Sequence, residues 1–263
     1  MGTITALGLL LLIAMVVVGG GQGLQAWLSL LFNFGALFFA MVLMAFHFSP
    51  VLVTLITGVM VLAMTIFLGG NDSNSTLVAF YASIIVLLLL VVMIIPVEHW
   101  AQIQGFGQED SEDLEGMSTV LGINYLDIAI STAILSTLGA IAEAAIAIAA
   151  GLAEILAQHP KIPLKNLQRA GFKVGSQIIG TTFNTLFFGF FGGFLALFIW
   201  FAGVHYSLGQ ILNDKILVGE VLMVLFSMTA VIITIPLTTW ATVTWERQTR
   251  QHALKLKNED TKK

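Results

Sequence analysis

The stretch LVAFYASIIVLLLLVVMIIP, residues 77–96, holds no charged side chain. About twenty apolar residues in a helix cross the hydrocarbon of a bilayer. Lipid offers no partner to backbone amides, so a run of this kind is helical and not part of an open sheet. Working outward, comparable runs occupy 3–18, 26–46, 51–68, 128–155, 175–201 and 216–239. The polar turn Gly69-Gly70-Asn71-Asp72-Ser73-Asn74-Ser75 separates the third run from the fourth, and Gly19-Gly20-Gly21-Gln22-Gly23 the first from the second. The expected fold is therefore all-α, a polytopic helical bundle of about seven spans forming a single membrane domain over 1–263. The first run has no basic region ahead of it and no small-residue cleavage site, so it is expected to stay as a span.

Composition agrees. Of 263 residues, 57% are hydrophobic and 10% charged, where a soluble domain carries about 25% charge. A globule of 28.3 kDa with a mean hydropathy of +0.94 cannot hide so much apolar surface from water. No cysteine is present, which excludes disulfide scaffolds and thiolate metal or cluster sites.

Charge is distributed unevenly. Residues 1–160 contain no Lys or Arg, and all eleven basic residues follow. Lys161, Lys165, Arg169 and Lys173 fall between the fifth and sixth runs, and six more basic residues lie in a tail over 240–263. Short basic connections mark the cytoplasmic face. This predicts an outside N-terminus and an inside C-terminus, with the acidic segment 98–116 an extracytoplasmic loop. Residues 164–174 read as a short amphipathic helix on the inner leaflet. Basic runs that flank spans give no reason to expect nucleic acid.

Polar residues inside spans carry the functional signal, because an ionisable group in hydrocarbon costs about 2.5–3.5 kcal/mol on insertion scales. Glu143 lies at the centre of the fifth run, and Glu154 lies three turns further on the same side. The face bearing Glu143 is built of small residues, Gly139, Ala140, Ala144, Ala147, Ala150 and Gly151, a pattern that admits another helix closely. Its carboxyl is expected deep in the bundle, turned toward other helices. In the sixth run, Gln177, Thr181 and Asn184 share one face and Gly180 adjoins them. These hydroxyl and amide groups could coordinate an ion or relay a proton, or could be interhelical hydrogen bonds. Asn33, Asp127 and Glu220 read more simply as packing or helix-terminal groups. His47, His99, His159 and His205 stand at span ends without the spacing of metal ligands. No HExxH, GxSxG, Walker A or GxGxxG motif occurs, so neither an enzyme nor a nucleotide-driven pump is expected from this chain, and no cofactor.

The segment Gly139-Ala140-Ile141-Ala142-Glu143-Ala144-Ala145-Ile146-Ala147-Ile148-Ala149, with Glu154-Ile155, then Gly180-Thr181-Thr182-Phe183-Asn184-Thr185-Leu186 and Gly192-Gly193, resembles the YibE/F family of multi-spanning bacterial membrane proteins. The resemblance is to the YibF-like half of a YibE–YibF pair and implies a YibE-like membrane partner. The family pattern has Asp at the place of Glu143 and an Arg-Asp pair at Ser176-Gln177. The acid is retained at the first place, and the pair is absent at the second. The order of acid, basic connection and Thr/Asn stretch is also similar to proton-driven RND and SecD/SecF cores. The expected role is a transport subunit that moves a small solute or ion, coupled at Glu143 with Glu154, Gln177, Thr181 and Asn184. Gly139, Ala147, Gly151 and Gly180 are expected to pack helices. The alternative is a non-transporting scaffold.

Overall fold

A computed structural model describes residues 2–70, 73–103 and 124–260. Every regular element among them is helical: α1 (Thr3–Ala45), α2 (Pro50–Gly69), α3 (Ser73–Ala101), α4 (Tyr125–Gln158), α5 (Leu164–Gly193), α6 (Leu195–Gly203), α7 (Leu208–Leu212) and α8 (Lys215–Asp260). By length and composition five helices could cross a membrane, or six when α5 and α6, bent by 50°, count as one broken span. The bulk of the acidic 98–116 segment lies outside the described residues.

α1 joins the first two runs across a kink that falls inside the glycine turn expected to divide them. Helix continues from Thr3 to Ala45 with one non-helical residue, Gly20 at φ 55° and ψ −131°. A straight helix of this length would measure about 65 Å, twice the hydrocarbon thickness of about 30 Å. At Gly20 the helix folds sharply: a Cβ at Gly23 would overlap the carbonyl of Met15, a residue about 12 Å away in an unbroken helix. Gly20→Val is expected to lower stability by about 1–3 kcal/mol, because L side chains rarely adopt this backbone. The readout is the thermal midpoint of purified protein in detergent, and a wild-type midpoint would contradict the fold at this position.

α4 is the hub. It packs against α2, α3, α5 and α8, while α1 is held to the bundle through α2. Its fourteen buried residues include Ile134, Ile141, Ile148 and Leu152. Leu62 and Ile66 of α2, Val86, Leu90 and Ile94 of α3, and Phe226 and Ala230 of α8 close around it. Asn124 caps the start of α4 by accepting from the Leu126 amide at 3.0 Å, and Asp127 in the first turn suits the positive helix end. Asn33 donates to Thr65 Oγ1 at 2.8 Å between α1 and α2, which is the packing role expected of it.

Three further boundaries move. The basic segment 164–174 is the first part of α5, not a separate surface helix. Leu167, Gly171 and Gly175 are buried there, because Gly171 meets Thr239 and Gly175 meets Ile235 of α8 without room for a Cβ. The tail 240–263 begins as a continuation of α8 through Asp260. It is fastened by Arg250, which donates from Nε to Glu246 and from both terminal nitrogens to the Ile162 and Pro160 carbonyls. α3 runs on through Ala101 despite Pro96, which takes Glu98 out of the expected loop and into the helix.

Candidate functional site

The exposed residues of α4 before its last turn fall on one narrow stripe. Thr132, Ser136, Gly139, Glu143, Ala150 and Glu154 are exposed, at spacings of three, four or seven, the recurrence of a single helix face. Ala147 on the same face is half-buried. One flank of the stripe meets α5, where a Cβ at Gly151 would lie 3.6 Å from Val174. The other turns toward α2 and α3 through Ile146 and Ala153. The result is a furrow along α4 with a floor of small residues and two carboxylates.

Glu143 stands at the middle of that furrow. The expectation that its carboxyl would be enclosed by the bundle is corrected: the residue is exposed on the outside of the chain. The reason is rotational. The buried faces of α4 carry Ile134, Ile141, Ile148 and Leu152, and Glu143 projects between the flanks that meet α5 and α2. It is not isolated, for Thr182 Oγ1 donates to Glu143 Oε1 at 3.3 Å. Thr182 itself is 3% exposed.

The α5 polar residues also face outward. Thr181 donates to the Gln177 and Ile178 carbonyls and Asn184 to the Gly180 carbonyl, each within its own helix. Gln177, Gly180, Thr181 and Asn184 are exposed, on the side of α5 turned away from the Gly171 and Gly175 face that meets α8. The antiparallel pairings Glu143 with Thr182 and Gly151 with Val174 bring Asn184 within a helical turn of the level of Glu143. The two polar runs are both exposed and do not contact each other through the residues expected. Thr182, one position beyond Thr181, makes the link.

Of the four small residues expected to pack helices, Gly151 meets Val174, while a Cβ at Gly139 or Gly180 would meet nothing within 4 Å. Ala147 remains half-buried. The glycines that bring α5 against α8 are Gly171, at spacing four from buried Leu167, and Gly175, at spacing seven from Thr182.

Toward the end of α4 that carries the basic connection, the furrow deepens into a cavity of about 550 Å³ between α2, α3 and α4. Ile66, Gly69 and Gly70 line it from α2 and its cap, Ser75, Thr76 and Ala79 from α3, and Ile146, Ala149, Ala150, Ala153, Glu154 and Ala157 from α4. Gln158 Nε2 donates to Glu154 Oε1 at 2.7 Å. No group of three or more metal-ligating side chains is assembled among the described residues.

Glu98 was not expected among the intramembrane acids. It is 2% exposed and its Oε2 has no hydrogen-bond partner. Its signal in the sequence was the spacing: Leu87, Leu90, Val91, Ile94 and Glu98 recur at three and four, so the acid continues the buried stripe of α3.

A family model described as YibE/F-like protein matches residues 7–248. The chain belongs to the YibE/F family. The match reaches well beyond the two motifs and takes in α2, α3 and most of α1 and α8. No curated protein and no solved structure matches the chain.

Proposed function

We propose that this YibE/F protein is a subunit of a bacterial plasma-membrane complex that moves a small solute or ion, with Glu143 binding the coupling proton or cation. The observation that carries the reading is the position of Glu143: midway along a spanning helix, on an outward stripe made, apart from Glu154 near its end, of small and hydroxyl residues. A carboxylate left against lipid tails is costly. A second membrane helix laid into the furrow would shield it from lipid and leave a polar seam along which a proton or ion can pass. A YibE-like protein is the proposed occupant.

The same reading gives α1 two crossings, since the fold at Gly20 leaves arms of about 25 and 37 Å, and so a total of seven with α5 and α6 as one. Lys161, Lys165 and Arg169 then set the inner side. In proteoliposomes containing both subunits, Glu143→Gln is expected to abolish dye-reported proton flux and Glu143→Asp to keep it. Full flux in the Gln variant would defeat the proposal.

The open space at Gly139 and Gly180 also favours a second reading, a scaffold that only holds its partner. There Glu143→Gln would leave the complex and cell phenotype unaltered, while Gly139→Leu would release the partner on co-purification.

A further inference from the structure

We infer that the cavity between α2, α3 and α4 is a binding site for a small organic cation with an apolar body. The inference rests on the transport reading only for its role as substrate, because binding is measured without transport. Among the described residues lining the cavity, Glu154 is the sole one with a formal charge. Gln158 occupies Oε1, and neither Lys nor Arg pairs with Glu154 among the described residues. A lone carboxylate therefore sets the sign of the site.

The helix ends around it do not reverse that sign. α3 begins at the cavity and presents a positive end of about half a charge, while α2 ends there at Gly69 with a negative end of about the same size. These two oppose each other, and the full charge of Glu154 remains. An anion is thereby disfavoured.

The rest of the lining specifies the body of the ligand. Ala149 and Ala153 form an apolar wall of small side chains, and Ser75 and Thr76 stand at the end shared with Gly70. A volume of about 550 Å³ falls in the range of sites that hold small molecules, which are mostly apolar with a few placed polar groups. A hydrated inorganic ion would leave the apolar wall unused. A primary amine on a short aryl or alkyl body uses both: the ammonium at Glu154 and the body against the alanines.

The test is calorimetric titration of the purified full chain in nanodiscs with phenethylammonium, using empty nanodiscs as the partition blank and 2-phenylethanol as the uncharged counterpart. Saturable binding is expected for the cation and at least tenfold weaker binding for the alcohol. Glu154→Gln should weaken the cation at least tenfold, and Ala153→Leu should weaken both probes by filling the cavity. Glu154 is exposed, so its isosteric variant keeps the fold and decides the matter even where Ala153→Leu does not. Equal affinity of cation and alcohol, or unaltered cation affinity in Glu154→Gln, overturns the assignment. Cation binding that survives Glu143→Gln while flux is lost separates this site from the coupling role. Loss of cation binding in Glu154→Gln together with intact flux in Glu143→Gln would retain this site and sink that role.

Discussion

Gly175→Leu is expected to be strongly damaging, with a loss of about 3 kcal/mol or failure to yield monodisperse protein. A Cβ at this position would overlap the Ile235 side chain. Ile235 is 4% exposed and packed with Leu152, Leu167 and Val231, so it has nowhere to go. Overpacking a close-packed core by a few methylenes costs about 1–3 kcal/mol, and a leucine adds four carbons where none fits. One turn away, Gly171 is equally tight against Thr239, so α5 cannot pivot on its neighbour to relieve the clash. Gly139→Leu makes the contrast. It meets open space within the chain and should leave the melting midpoint of the isolated chain within a degree or two of wild type. The checking measurement is thermal unfolding followed by size-exclusion in detergent. A Gly175→Leu protein that melts with the wild type would show that α5 does not approach α8 as described.

The second large effect is expected at Arg250. Its guanidinium reaches Glu246 Oε1 at 2.6 Å, the Ile162 carbonyl at 2.8 Å and the Pro160 carbonyl at 3.0 Å. One side chain thus ties the far end of α8 to the turn joining α4 to α5. Arg250→Met should cost about 1–2 kcal/mol, most of it from the half-buried Ile162 carbonyl left without its donor, since the exposed Pro160 carbonyl can turn to water. The ion pair adds little, since its partners remain 30% and 20% exposed and water screens them. Lysine does not substitute, because a point charge cannot serve three acceptors that a planar fork spans. Hydrogen–deuterium exchange over 158–163 should rise in both Arg250→Met and Arg250→Lys and stay near wild type in Glu246→Gln. Wild-type protection in Arg250→Lys would show that the fork geometry is immaterial.

Glu143 and Gly175 illustrate how unevenly the site was legible. That Glu143 lies mid-helix follows from counting along an apolar run, and that Gln177, Thr181 and Asn184 share a side follows from their spacing. Which way those sides point does not follow. Gly139 and Gly175 look alike in the sequence, yet one borders open space and the other the core. Thr181 and Thr182 are neighbours, and a rotation of about 100° gives the second the bond to Glu143. Glu98 was readable from its place on the α3 stripe, but proline at 96 argued for an earlier helix end.

Sequence alone determined that this chain is a bundle of membrane helices, with a carboxylate at the middle of one of them and its basic residues gathered toward the C-terminal third. Hydropathy decides those matters because transfer from water to hydrocarbon is a property of each segment by itself. The tertiary structure alone decided that the α4 stripe looks outward and that Gly171 and Gly175 carry the α5–α8 contact. Lipid tails and protein cores are about equally apolar. A leucine therefore reads the same facing either, and only the packing of several helices together tells the inside of the bundle from the outside.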